Sequence, residues 1–260
     1  MLKIAVEAAL EAGALLKANS GRAKTIERKA GQETNLVTEI DRKAEEIIIR
    51  TIHKHFPDHD VLAEESGSRQ QQSDYRWVID PLDGTTNFTH GFPVFSVSIG
   101  LEYKGKVILG VVHNPNTDQL FTAEKGQGAF LNRQRLHVSN TTTLIESMLV
   151  TGFPYNVREN PDHVVEHFTD FLMKAQAVRR LGSAALDLCY VAAGWFDGFW
   201  EVSLNPWDMA AGVLMVEEAG GRFTDLVGNP STIYNKKMLT SNGHIHGPMV
   251  EILKKRIEQE

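Results

Sequence analysis

Trp77-Val78-Ile79-Asp80-Pro81-Leu82-Asp83-Gly84-Thr85-Thr86-Asn87-Phe88 is the stretch on which the reading turns. An apolar strand runs directly into two carboxylates, then into a glycine and paired hydroxyls. A buried strand that ends in charge needs a counter-ion. Pro81 fixes φ between the acids and removes a donor, so Asp80 and Asp83 can turn toward one point while a nearby backbone carbonyl offers a further oxygen ligand. Gly84 lets backbone N–H groups approach an anion closely, especially if a helical turn begins at Thr85. Carboxylates beside such a nest imply a metal-bridged phosphate, although Asp-Gly-Thr is also common turn chemistry.

Two other places supply acids in a similar setting. Ala63-Glu64-Glu65-Ser66 puts adjacent carboxylates at the end of an apolar strand, and Pro206-Trp207-Asp208 puts one at the start of an apolar helix. Between them the chain reads as short β-rich runs at 61–63, 77–79, 95–103, 107–112, 119–124 and 129–131, with Gly105 and Asn116 at turns, which predicts an antiparallel meander. Upstream, residues 2–18 form an amphipathic helix with Leu2, Val6, Ala9, Leu10 and Leu16 on one stripe, where Gly13 would let a neighbour approach closely. A second helix begins after Thr38 as N-cap, has Asp41 in its first turn, and stops before Pro57. Residues 19–35 read as a polar, flexible flap carrying Lys24 and Lys29. Beyond residue 147, strands near 148–151 and 196–201 alternate with helices near 161–176, 184–193 and 208–219. The expected division is an N-terminal lobe, 1–145, and a closely packed C-terminal lobe, 146–260.

Taken together, Glu64-Glu65-Ser66, the run from Asp80 to Phe88, Gly182-Ser183-Ala184-Ala185, Trp207-Asp208-Met209-Ala210-Ala211-Gly212 and Glu218-Ala219-Gly220-Gly221 resemble the inositol monophosphatase family, in that order and at its spacings. Leu36-Val37-Thr38 with Asp41 fits the family's upstream motif, and the likeness spans nearly the whole chain. The resemblance implies an α/β (α+β) fold, a layered αβαβα sandwich with a largely antiparallel sheet. It implies two or three Mg²⁺ ions, with Mn²⁺ able to substitute. Glu64, Asp80 and the carbonyl of Leu82 match a first site; Asp80, Asp83 and Asp208 match a second, with Glu65 in the outer shell. Glu64 and Thr85 would position the attacking water, with Asp41 orienting Thr85. The N–H groups of Gly84 and Thr85 would hold the phosphate. Gly182, Ser183, Ala184 and Glu201, with Asp83 and Asp208, would face the alcohol portion of the substrate. The residues agree with the metal type, because an all-oxygen set without His or Cys selects hard cations.

The expected activity is hydrolysis of inositol 1-phosphate or a similar polyol phosphate. Fructose 1,6-bisphosphate, histidinol phosphate and 3′-phosphoadenosine 5′-phosphate are the alternatives within the superfamily. Thr86-Asn87 is closer to the inositol group than to the nucleotide phosphatases. An aspartyl-phosphate mechanism would want Asp-x-Asp, and the chain offers Asp-x-x-Asp. A regulatory interaction protein on the same scaffold is the reading from another class, and the full acidic set argues against it. The family habit predicts a homodimer.

Composition sets the outer bounds. The chain has 260 residues, 42% of them hydrophobic, enough for a large core. Its 33 acids and 27 Lys and Arg leave a net charge of −6, which repels nucleic acid and anionic membrane. Any anionic ligand must therefore meet a local positive centre. A single cysteine, Cys189, excludes a disulfide framework and suits a reducing, cytoplasmic setting. His163-Val164-Val165-Glu166-His167 spells a zinc-protease pattern but has no third ligand, so it is read as a solvated helix.

Overall fold

The computed structural model describes residues 1–22, 26–28 and 36–257. Helix α1 (Leu2–Asn19) buries an alanine stripe, Ala5, Ala8, Ala9 and Ala12, followed by Leu16. Leu10, placed on that stripe from the sequence, is instead exposed, because at about 100° per residue it falls well to the side of the face on which Ala5, Ala8, Ala9, Ala12 and Leu16 are buried. Gly13 does what its position suggested: a Cβ would collide with the His113 ring. The expected flap contains a short strand, β1 (Ile26–Arg28), paired antiparallel with β2 (Leu36–Thr38). Lys24 and Lys29 lie outside the described residues.

Thr38 then caps α2 (Glu39–His55). Its hydroxyl accepts the N–H groups of Ile40 at 3.1 Å and Asp41 at 3.4 Å, and the Asp41 carboxylate accepts the Thr38 N–H at 3.0 Å. Such a reciprocal cap satisfies donors that the first helical turn cannot. Ile40, Ile48 and Ile52 anchor the helix, each buried isoleucine worth about 1.5–3 kcal/mol.

Next come β3 (Asp60–Ala63), β4 (Gly67–Arg69), β5 (Tyr75–Asp83), the single-turn α3 (Thr85–Thr89), and the run β6 (Ser96–Tyr103), β7 (Lys106–Asn114), β8 (Gln119–Glu124), β9 (Gly128–Leu131) and β10 (Gln134–Arg135). They form one eight-stranded sheet in the order β10-β9-β8-β7-β6-β5-β3-β4. From β5 to β10 it is the expected antiparallel meander. The exception is β3, which lies parallel to β5 with Ala63 beside Ile79. That pairing carries Glu64 alongside Asp80.

The second half supplies β11 (Met148–Thr151), α4 (Val164–Leu172), β12 (Ala177–Arg179), α5 (Ala184–Ala192), β13 (Gly198–Glu201), α6 (Pro206–Glu218), β14 (Arg222–Thr224), β15 (Met238–Ser241) and α7 (His246–Ile257). Its five strands run β12-β11-β13-β15-β14, parallel around β11 and antiparallel beyond β13. Helix α4 starts later than the pattern at 161–176 predicts, because Asn160, Asp162 and His163 all adopt positive φ and break the first turn.

Three hydrophobic cores set the layers. One joins α1 and α2 to the large sheet, one joins α5 and α6 to both sheets, and one joins α4 and α7 to the small sheet. The order is the αβαβα sandwich that the resemblance implied. Where α6 crosses the large sheet, a Cβ on Gly110 would lie 2.8 Å from the Ala211 carbonyl oxygen, and one on Gly100 2.7 Å from the Ala210 Cβ. Glycine on the strand facing alanine on the helix draws α6 down onto the sheet, and with it the acid in its first turn. Among the described residues no helix is long and apolar enough to cross a membrane.

Candidate active site

Asp80 and Asp83 are three residues apart on β5, so in a regular strand they would point to opposite faces. Pairing with β6 matches Asp80 to Ser98 and Asp83 to Ser96, three residues against two. The extra residue is a β-bulge, and it brings both acids to the face that Ser96 and Ser98 share. Pro81 can sit in this gap because no ladder bond is asked of it. The Asp80 carboxylate accepts the Leu82 N–H at 2.9 Å, which folds the bulge back on itself.

Each further acid arrives on its own element. Glu64 follows β3, its N–H donating to the Ile79 carbonyl at 3.2 Å. The turn behind it is held by buried Glu45, whose carboxylate accepts the N–H groups of Glu65 at 2.8 Å and Ser66 at 2.9 Å. Glu65 itself is not among the residues that border the pocket. Asp208 lies in the first turn of α6, where its carboxylate accepts the Asn205 N–H at 2.7 Å. The Ser98 hydroxyl donates to the neighbouring Trp207 carbonyl at 3.3 Å, tying the start of α6 to the strand opposite Asp80.

Gly84 has φ +96°, and a Cβ there would be 3.0 Å from the Gly182 carbonyl oxygen and 3.1 Å from that of Val94. Only glycine lets the turn after Asp83 touch the Gly182-Ser183-Ala184 segment. Asp83 spans the same junction, accepting the Ser183 hydroxyl at 2.6 Å and the Ala185 N–H at 2.8 Å. The Thr85 hydroxyl donates to Asp41 at 3.1 Å and lies 3.2 Å from the Leu82 carbonyl. Asp41 thus joins a helix cap with one carboxylate oxygen and Thr85 with the other, the contact expected from the sequence.

These residues border one cavity of about 530 Å³, lined by Glu64, Asp80, Leu82, Asp83, Gly84 and Thr85 on one side and by Gly182, Ser183, Ala184, Glu201 and Asp208 on the other. Glu201 ends β13, opposite Gly152, where any side chain would overlap its carboxylate.

Burial raises the carboxyls of Asp80 and Asp208 well above their usual range, and the charge of Glu64 adds to it in both. Burial likewise lifts Asp83 to about 6 against the bonds from Ser183 and Ala185, and Asp41 to about 6. It lifts Glu201 to about 8, with the Arg180 guanidinium opposing. Acids crowded together out of water need a positive centre to stay ionised. The donors on offer are carboxylate and carbonyl oxygens, the set a hard divalent cation takes. Among the described residues no three His, Cys, Asp or Glu side chains already close around a single point. The bonds that Asp83 accepts from Ser183 and Ala185, and Asp208 from Asn205, hold these acids at the wall. A cation there would complete its shell with the Leu82 carbonyl and water, as magnesium characteristically does.

A model of the inositol monophosphatase family matches residues 1–258. The chain belongs to that family. An inositol-1-monophosphatase of Synechocystis is 46% identical over 97% of this chain and 88% of its own length. The Nus factor SuhB of Pseudomonas aeruginosa is 43% identical over 93% of this chain and 91% of its own. The crystal structure of the extragenic suppressor protein suhB from Bartonella henselae superposes with a TM-score of 0.92 at 42% identity, covering 97% of this chain and 98% of that one. With the family comes the reaction class: the chain is a phosphatase.

Several residues of this inositol monophosphatase family site escaped the sequence reading. Gly152 acts only by being small opposite Glu201, Glu45 acts from a helix onto a remote turn, and Asp187 borders the cavity from inside an apolar helix. Asp187 could have been found as the lone acid in Ala184-Ala185-Leu186-Asp187-Leu188-Cys189. The helix that carries the zinc-protease pattern is not simply solvated as the sequence suggested: His167 is fully buried, while His163 stands before the helix. Cys189 is buried in the core, as expected.

Proposed function

We propose that the chain is a magnesium-dependent phosphomonoester hydrolase acting on inositol 1-phosphate or a closely similar polyol phosphate. The observation that carries this reading is the convergence of Glu64, Asp80, Asp83 and Asp208 on one cavity, beside the Thr85–Asp41 pair. Glu64, Asp80 and the Leu82 carbonyl would hold one ion, and Asp80, Asp83 and Asp208 a second, with Glu65 behind them. When bound, the ions supply Lewis-acid charge that offsets the charge of the phosphate and of its transition state.

The protein's own groups set the direction of attack. Thr85 donates its only proton to Asp41, so the lone pairs of its hydroxyl are left to accept from a water in the cavity. Glu64 accepts that water's second proton, and the two acceptors aim its oxygen at phosphorus. The N–H groups of Gly84 and Thr85 receive the phosphate oxygens. Asp83 and Asp208 orient the water that protonates the departing alkoxide, and Glu201 accepts hydrogen bonds from the hydroxyls of the alcohol. Asp80 and Asp83 need no covalent bond to phosphorus in this scheme.

Phosphate release from a panel of inositol, sugar, histidinol and nucleotide phosphates, with and without Mg²⁺, tests the proposal. Release should require Mg²⁺ and be fastest with the inositol phosphate. Release that survives chelation, or a trapped phosphoenzyme, would overturn it.

A further inference from the structure

One acid bordering the cavity has no part in the scheme above. Asp187, one turn into α5, is fully buried, yet it lines the cavity together with Ser183 and Glu201. Neither of its oxygens has a hydrogen-bond partner among the described residues. The other deeply buried acids all use their oxygens. Asp60 accepts the N–H groups of Gln71 and Ser73, Glu45 those of Glu65 and Ser66, and Asp197 the Ser139 hydroxyl and the Met148 N–H. Even Glu102, with one oxygen left over, accepts the Tyr234 hydroxyl with the other.

A buried acceptor with no donor is a standing cost, and folds that keep one use it. Burial, with the charges of Glu201 and Asp83, raises the Asp187 carboxyl well above its usual range, the Arg180 guanidinium opposing, and none of these supplies a donor to its oxygens. The missing donors must come from what fills the cavity. Polyol hydroxyls are donors of the right kind: they can satisfy several acceptors at once, and Glu201 lines the same cavity as Asp187.

We propose that Asp187 is a substrate-positioning residue that, with Glu201, accepts hydroxyl hydrogen bonds from the alcohol portion of a polyol phosphate, directly or through one enclosed water. The proposal rests on the phosphomonoesterase reading and narrows its substrate class to hydroxyl-rich alcohols. It assigns Asp187 to holding the alcohol and leaves cleavage of the ester to the residues named above.

The test uses the full chain with Mg²⁺ and compares inositol 1-phosphate with phenyl phosphate, whose leaving group has no further hydroxyl. In Asp187→Asn, which keeps the shape and replaces one acceptor oxygen by a donor, the ratio of kcat/KM for the two substrates should fall about tenfold, mainly through KM, the size of one hydrogen bond. Monodeoxy inositol phosphates give a second measurement on the unmutated enzyme. One of them should lose a similar factor, and lose little more in the variant. Equal losses on both substrates would assign Asp187 a structural role in α5 and overturn the proposal, as would an unchanged ratio. An unmutated enzyme that cleaves phenyl phosphate but no polyol phosphate would overturn it while leaving the phosphatase reading in place. Cleavage of neither would end both.

Discussion

Replacing Gly84 by alanine probes the joint on which the site is built. The residue sits at φ +96°, a conformation that costs an L-residue with a Cβ about 1–2 kcal/mol. The new methyl would also meet two backbone carbonyls, that of Gly182 at 3.0 Å and that of Val94 at 3.1 Å, neither of which can swing aside as a side chain would. Overpacking of this kind adds about 1–3 kcal/mol. The total is about 2–5 kcal/mol, and at roughly 2–4 °C per kcal/mol for a chain of this size the melting midpoint should fall by roughly 4–20 °C. Gly105 is the control: its φ is +75° with nothing within 4 Å of a Cβ, so Gly105→Ala should show only the conformational part, roughly 2–8 °C. Activity should separate the two further. Relief of the contact moves the Gly84–Thr85 turn away from the Gly182 segment, and displacement of a reacting group by even an ångström costs about a hundredfold in rate. Thermal unfolding and phosphate release, measured on both variants, read these effects. Equal midpoint losses for Gly84→Ala and Gly105→Ala, with turnover retained in both, would refute the argument.

Other perturbations reach different parts of the reasoning. Asp208→Asn keeps an oxygen to accept the Asn205 N–H, so circular dichroism and melting should stay near those of the unmutated chain while Mg²⁺-dependent phosphate release drops by at least about a hundredfold; retained turnover in the purified variant would contradict the assigned ligand set. Gly152→Ala should push the Glu201 carboxylate out of place, raising KM for inositol 1-phosphate more than it lowers kcat, and an unchanged KM would remove Glu201 from the substrate site. His246 is buried between the Thr224 hydroxyl at 2.9 Å and the Ser241 hydroxyl at 2.8 Å, and burial, aided by Arg222, lowers it from 6.5 to about 4. The unfolded chain therefore takes up this proton first, and stability falls as the pH drops from about 6.5 toward 4, by at most about 3 kcal/mol. Denaturant titrations of the protein and of His246→Gln across that range should show a shallower fall in the variant; parallel curves would exclude the residue as the cause.

Much of the frame was legible in the residues because it rests on local chemistry. Thr38 and Asp41 announce a helix start by the hydrogen bonds that a first turn requires, and the period-two runs from 95 to 131 announce a meander whose register follows from short turns. The late start of α4 was hidden, because two residues in positive φ, Asp162 and His163, lie inside an otherwise helical pattern. The parallel pairing of β3 with β5 was equally hidden, since a strand's periodicity does not tell which neighbour it takes, and neither was the strand within the expected flap visible.

The sequence by itself determined the chemical inventory: acids at strand and helix ends, a glycine after the second of them, and a hydroxyl next to it, an all-oxygen set of the kind hard cations prefer. The tertiary structure decided how those groups are used. A one-residue bulge turned Asp80 and Asp83 to the same face, glycine against alanine let α6 carry Asp208 down to meet them, and the empty space over Gly152 received Glu201. The same packing left Asp187 at the cavity wall without a donor among the described residues. Composition and motif specify which groups are present, whereas direction and separation depend on register and on close approach between segments about a hundred residues apart, terms that exist only once the chain has packed.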